Sequence, residues 1–443
     1  DINSPVFSQT GAYTRGAIPR LTLENDIDVF LIPSIWPETF SYTTEEIMKM
    51  GMPIMCFDIG APAERVKKYD KGIIIPAISA ESVYQTIRDN QIVKESTDKK
   101  VNSQKVLFVV QEVTFSSRYR IDHLREQLIR KGISSDCVSI KDTKKCDLKA
   151  YNSIVVYRIS EYEKLKKLKS KAKKLNMQVF YDIDDYIFNY QAIKDIGFLK
   201  GKEYRNYENY TEQIRNCMEI CDGYIVSTLS LKKVIKEQFP GKVVVVNRNV
   251  ASMEMVIASL TVEKVHKDNI TIGYFSGTKT HNDDFESIKD ELLSVMQKNE
   301  NIHLLVAGQI ELPAEFNAVK DQVETFKFVS WQELPHLIAK ADINLMPLEN
   351  SIFHECKSEN KWMEAALVNV PTIASRNSEL ASVIRDGEDG FLCKNSEEWA
   401  EKLNKLIRDE SLRNQIASSA HARIMKEYMT DDMEMETLRA ILK

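Results

Sequence analysis

One pattern occurs twice in this 443-residue chain, and it constrains the fold more than any other feature. DIDVFLIPS (26–34), EIMKMGMPIMCF (46–57) and KGIIIP (71–76) correspond to ADINLMPL (341–348), EAALVNVPTIAS (364–375) and DGFLC (389–393). The spacing matches as well. Asp28 to Pro33 equals Asp342 to Pro347, Glu46 to Pro53 equals Glu364 to Pro371, and Pro53 to Gly72 equals Pro371 to Gly390. Self-similarity of this kind marks a duplicated folding unit. The one change of length falls between the Pro and the Glu, where a strand gives way to a helix and α/β folds place their ligands. Residues 1–100 therefore read as a second copy of the later half of the C-terminal domain. The opening Asp-Ile-Asn-Ser-Pro reads as a cut inside a longer polypeptide.

Between the copies, short β-branched runs alternate with charged amphipathic segments: VLFVV (106–110), IVVYR (154–158), QVFYDI (178–183), GYIVS (223–227) and KVVVV (242–246). Continuous apolar strands of that length belong to a parallel sheet covered on both faces, which predicts a Rossmann-like domain at 104–250. A looser stretch follows (251–269). The pattern then restarts with ITIGYFSG (270–277), IHLLVAG (302–308), FKFVS (326–330), DINLMP (342–347) and VPTIAS (370–375), a second such domain at 251–443. Its closing helical segments carry leucines at helical spacing, as a helix returning across the structure would.

Composition narrows the function. Apolar residues make 43% and charged residues 28%, with no apolar run long enough to span a bilayer, so an integral membrane protein is excluded. A net charge of −5 gives no broad basic field for nucleic acid. Seven cysteines without a CxxC pair read as reduced thiols of a cytoplasmic protein.

In both copies an apolar strand ends in Pro, a polar loop follows, and a helix carries Glu46 or Glu364 in its first turns. A helix N-terminus offers unpaired amide donors and positive potential to a diphosphate, and a nearby carboxylate can accept both ribose hydroxyls. These glutamates could equally serve only to favour the helix N-terminus.

WPETFSYTTEEIMKMGMPIMCFDIGAPAERV (36–66) resembles the donor signature of GT-B glycosyltransferases of the family-4 type, with Glu38 and Glu46 as its two glutamates eight positions apart. IGYFSGTKTHNDDF (272–285), DINLMPL (342–348) and FHECKSENKWMEAAL (353–367) resemble the C-terminal domain of bacterial transferases that build surface polysaccharides, rhamnosyltransferase-like members among them. The implied fold is α/β of GT-B type, two Rossmann-like domains facing a cleft, here preceded by a partial Rossmann-like domain. The implied activity is transfer of a sugar from a nucleotide-sugar donor, UDP- or dTDP-activated, to a glycan acceptor in polysaccharide synthesis, retaining and metal-independent, with no cofactor.

In the second copy Cys356 stands eight before Glu364, and the loop reads KSENK. Lys357 and Lys361 lie one helical turn apart and can face one ligand, so they are expected, with Ser358, to hold the diphosphate and stabilise the leaving group, while Glu364 holds the ribose. Two solvated lysines are the plain alternative. Gly277 and Lys279 in SGTKTH (276–281) are further donor-side candidates, and His281 a weaker one.

In the first domain, FVVQEVTFSSRYRIDHL (108–124) places Ser116, Ser117, Arg118 and Arg120 at the first strand-to-helix turn, where an acceptor could bind, unless the arginines only form salt bridges. The absence of GxGxxG argues against a nicotinamide or flavin dinucleotide. Asp182 and Asp184 in VFYDIDDYIF (179–188) spell a metal-binding DxD; the two-domain resemblance instead assigns Asp182, Asp184 and Asp185 to the cleft wall with no metal, orienting the acceptor or acting as base, with Asp184 the catalytic and Asp185 the acceptor-side candidate, unless they are purely structural at the strand end. The lysine-rich EYEKLKKLKSKAKKL (161–175) is either a solvated helix or a dock for an anionic membrane carrying a lipid-linked acceptor. Two rivals stand beside glycosyl transfer: a nucleotide-sugar epimerase, and an idle glycan-binding or scaffolding module.

Overall fold

A computed structural model of the chain describes residues 27–90, 104–112, 117–194, 201–260, 268–277, 282–430 and 435–442, with a few isolated positions besides. The chain divides into two compact units.

The first unit comprises Asp1–Ser103 together with Met253–Thr261. Its parallel sheet runs in the order β1 (Phe30–Ile32), β2 (Ile54–Phe57), β3 (Gly72–Ile75). Helix Tyr42–Lys49 starts where the Ser41 hydroxyl accepts from the Thr44 amide. Ile47, Ile54 and Val66 pack its core, and Ile257 of helix Met253–Leu260 joins them. The stretch read as a loose start to the C-terminal domain thus holds a helix whose apolar residues pack in the core of this first unit.

The second unit comprises Gln104–Ser252 and Val262–Lys443 and holds two six-stranded parallel sheets. The first is ordered β5-β4-β6-β7-β8-β9, from β4 (Lys105–Val110), β5 (Ser134–Ser139), β6 (Ser153–Tyr157), β7 (Gln178–Ile183), β8 (Gly223–Val226) and β9 (Val243–Val246). The second is ordered β12-β11-β10-β13-β14-β15, from β10 (Ile270–Ser276), β11 (Ile302–Gly308), β12 (Val323–Phe326), β13 (Ile343–Met346), β14 (Thr372–Ser375) and β15 (Phe391–Cys393). Strand order reverses between β4 and β6 and between β10 and β13. Such switch points leave a crevice at the strands' C-terminal ends.

The duplicated segments fold alike. β1-β2-β3 repeats the order β13-β14-β15, and the register repeats too: Met55 pairs with Ile73 as Ile373 pairs with Phe391. The extra length in the second copy holds the short helix Ile352–Glu355.

Two expectations need correction. The segment FKFVS is mostly loop: β12 ends at Phe326, while Phe328 is half exposed. Phe328 and Val329 line a cavity instead. The 251–443 boundary also fails at its far end. Helix Met435–Ile441 packs on the first sheet, with Ile441 buried against Val106 and Phe108, and Thr437 Oγ1 donating to Val246 O at 2.9 Å.

Candidate active site

A cavity of about 250 Å³ lies at the C-terminal ends of β10, β11 and β13. Its floor is Ser276, Gly277, Ala307 and Gly308. Gly308 has φ +110°, and a Cβ there would sit 1.5 Å from Ser276 O, so only glycine lets the two strand ends close this floor. Phe328, Val329 and Leu334 form an apolar end.

One wall is the start of helix Asn360–Leu367 with the loop before it: Lys357, Ser358, Asn360, Lys361 and Glu364. No side chain caps this helix, which leaves its first amides available to a ligand. The helix is fixed from behind. Trp362 is fully buried and donates from Nε1 to Asp389 O at 2.7 Å, and Asn344 Nδ2 donates to Lys361 O at 3.2 Å. Asn249 ties the loop to the first domain, donating to Ser358 Oγ at 3.2 Å and Asn360 Oδ1 at 3.0 Å. Arg248 pairs with the buried Glu379 at 2.8 Å and Glu359 at 3.4 Å.

Lys361 is the anomaly of the wall. Its Nζ is buried and meets no hydrogen-bond acceptor among the described residues, lying 4.5 Å from the centroid of the Tyr274 ring. Burial lowers its pKa from the ordinary 10.5 to about 8, against the opposing pull of Asp284 and Glu364. A buried ammonium without an acceptor is unfavourable unless an anion joins it.

The facing wall comes from the first domain: Tyr119, Asp184 and Asp185. Arg158, just past β6, adopts a left-handed φ of 44°, rare for a residue with a side chain. From there its guanidinium meets Asp184 at 2.7 Å and also pairs with Asp185. Asp185 in turn holds Lys357 Nζ at 2.8 Å. These two cations hold the Asp185 carboxyl far below the usual carboxylate range against its burial. Glu364 Oε1 accepts from Tyr119 Oη at 2.5 Å and lies 3.5 Å from Arg118 Nη2. Burial raises the Glu364 pKa, which Arg118 opposes.

The structure thus gathers Gly277, Lys357, Ser358, Lys361, Glu364, Asp184 and Asp185 around one cavity. Ser117 is buried behind it, and Arg118 is sandwiched between the rings of Tyr119 and Trp331 at 4.6 and 4.7 Å. Arg120 is corrected: it is fully buried, bidentate to Asp182 at 2.7 and 2.8 Å, and donates to Asn247 O and Asn249 Oδ1. It braces the strand ends and offers no donor to an acceptor. Asp182 is equally buried in that pair, so it is neither cleft wall nor half of a metal-binding DxD. Asp184 spends Oδ1 on Arg158 Nε at 2.9 Å and on Tyr157 Oη at 3.2 Å, which fits orientation better than proton removal.

Ser116, Lys279 and His281 lie outside the described residues. Cys356, in the place of the first signature glutamate, is buried, and burial pushes its thiol up to about 12. In the first unit Glu46 is buried within its helix and Glu38 half buried; Gly60, with φ +64°, passes close under the Glu38 backbone. The lysine-rich helix Tyr162–Lys174 turns Leu165, Leu168 and Ala172 into the core, so it has no apolar face to insert into a bilayer. No helix among the described residues is long and apolar enough to cross a membrane.

Sequence reasoning missed Tyr119, Arg158 and Asn249. The signal for Arg158 was in plain view, a charged residue closing the apolar run IVVY.

Two facing Rossmann-like sheets with a cavity at their switch points define a protein of GT-B architecture. Solved structures agree on the fold. Anabaena HepE in complex with UDP is 13% identical, with a TM-score of 0.54 over 76% of this chain and 99% of that one. A glycosyltransferase from Rickettsia africae ESF-5 is 13% identical, with a TM-score of 0.54 over 77% and 98%. Sucrose-phosphate synthase from Thermosynechococcus elongatus is 12% identical, with a TM-score of 0.51 over 76% and 97%. Residues 269–409 and, separately, residues 10–100 match models described as glycosyl transferases group 1. These two stretches are similar to the group 1 glycosyltransferases. A curated relative, the capsular polysaccharide biosynthesis glycosyltransferase CapM of Staphylococcus aureus, is 25% identical over 178 residues, which are 38% of this chain and 45% of that protein. The chain thus spans less than half the length of that relative.

Proposed function

We propose that the cavity of the second unit binds a nucleotide-activated sugar and transfers its glycosyl group to a glycan acceptor in polysaccharide assembly. The observation that carries this reading is Lys361, a buried cation with no acceptor among the described residues, beside Lys357 and a helix N-terminus without a side-chain cap. That arrangement suits a diphosphate. Glu364, three residues further along the helix, is in place for ribose hydroxyls, and the Phe328, Val329 and Leu334 end suits a base. UDP- or dTDP-activated sugars are the donors we expect; HepE, of the same fold, was solved with UDP.

In the transfer, the bond from the anomeric carbon to the phosphate oxygen breaks, and the diphosphate leaves with the electron pair. Lys361, and Lys357 once it exchanges Asp185 for phosphate, neutralise that charge as it develops. The acceptor hydroxyl forms the new bond to the anomeric carbon and passes its proton to an oxygen of the departing diphosphate. Asp184, held by Arg158 and Tyr157, orients the acceptor. We read the transfer as retaining and metal-independent, in line with the family-4 resemblance, and expect nucleotide binding to persist in EDTA. The first unit, with its repeated register and Glu38 and Glu46, we assign to the donor side of a second transferase.

Calorimetric titration of the chain with UDP, dTDP and GDP, compared with Glu364→Ala and Lys361→Met, tests the reading. One nucleotide should bind, and both substitutions should weaken it. Failure of all three to bind would leave a scaffold with a transferase fold.

A further inference from the structure

A second cavity, of about 530 Å³, opens on the first six-stranded domain beside helix Gly201–Glu219. Glu208, Thr211, Glu212 and Arg215 stand at i, i+3, i+4 and i+7 of that helix, so a single polar face lines the cavity. The segment after β7 supplies the opposite side with Phe188, Asn189 and Tyr190.

Two features show that this face has unused binding capacity. The Thr211 hydroxyl is buried, the residue being 2% exposed, and has no hydrogen-bond partner among the described residues. A hydroxyl left in that state calls for a polar partner. Glu208 and Glu212 are exposed at the rim and pair with no cation among the described residues. Arg215 is already committed, its Nη1 donating to Gln238 Oε1 at 2.8 Å and its guanidinium lying 4.9 Å from the Phe239 ring centroid. Two free carboxylates beside a committed arginine disfavour an anionic ligand. They favour one with several hydroxyl donors, and the half-buried Tyr190 ring gives such a ligand an apolar platform.

We infer that this cavity is a saccharide subsite, taking a neutral polyhydroxyl segment of the acceptor glycan away from its reacting end. The inference rests on the reading of the main cavity as a glycosyl-transfer site. One short segment joins the two: Asp184 and Asp185 line the first cavity, Phe188 to Tyr190 the second. From Asp185 to Phe188 the chain spans at most ~11 Å, within reach of one oligosaccharide.

The test titrates the whole chain with maltotetraose, cellotetraose and chitotetraose by saturation-transfer NMR, and with UDP in the same samples. At least one tetrasaccharide should bind. Thr211→Val, nearly isosteric and so harmless to the helix, should weaken it about fivefold, and Glu212→Gln about tenfold, with UDP affinity unchanged. If no tetrasaccharide binds, or if binding ignores both substitutions, the subsite is refuted. Saccharide binding without nucleotide binding would instead refute the donor reading alone.

Discussion

Replacing Lys361 by Met should make the protein more stable and less able to bind nucleotide. Burial moves this ammonium from 10.5 to about 8. At about 1.4 kcal/mol per unit the shift amounts to roughly 3 kcal/mol of unfavourable free energy in the folded state. The sign follows from proton counting. Between pH 8 and 10.5 the unfolded chain binds more protons at this site, so stability rises with pH there; below pH 8 the full penalty stands. At pH 7 the Lys361→Met protein should therefore melt several degrees higher, because an alkyl chain of similar length replaces an unpaired charge. Nucleotide affinity should move the other way. Losing one charge-assisted hydrogen bond costs about 1.5–3 kcal/mol, or ~10–150-fold. Saturating nucleotide should reverse the order of melting, since ligand stabilises only the protein that binds it. Calorimetric melts of both proteins, with and without UDP, read all of this at once. A Lys361→Met protein that melts lower without ligand, or that binds UDP as tightly as the unaltered chain, would refute the argument.

Nucleotide binding should also weaken as pH rises through about 8, where Lys361 loses its proton, and titration from pH 6.5 to 9.5 should show the slope flattened in Lys361→Met. Asp185→Asn should raise nucleotide affinity several-fold, because Lys357 then leaves no 2.8 Å ion pair to reach phosphate; an unchanged dissociation constant would remove Lys357 from the diphosphate. Arg120→Met should destabilise the second unit by about 3–5 kcal/mol by stranding the Asp182 carboxylate, and adding Asp182→Leu should recover most of it in denaturant melts. Gly308→Ala should cost more than about 3 kcal/mol, since its Cβ would meet Ser276 O at 1.5 Å; a thermal midpoint near that of the unaltered chain would contradict the close approach.

The repeated Pro-ended strand and Glu-bearing helix, together with the apolar runs between the copies, determined the parallel α/β architecture. They also located one binding wall, because a strand with both faces buried and a helix N-terminus are local properties written in consecutive residues. The same local logic turned Lys357 and Lys361 toward one ligand, although Lys357 stands in the loop before the helix and not on it. It could not tell a lysine pointing into solvent from one buried with no acceptor among the described residues, since that depends on Tyr274 of β10 packing against it and on Asp389 pinning its helix through Trp362. Arg120 shows the converse. In sequence it is a polar residue at a strand-to-helix turn, and it became a buried brace because β7 brings Asp182, and the segment after β9 brings Asn247 and Asn249, into its reach. Spacing along the chain settled which residues share a face. Only the crossing of distant strands decided which of them have partners, and for a charged group in a medium of low dielectric the partner decides whether it braces the fold or waits for a ligand.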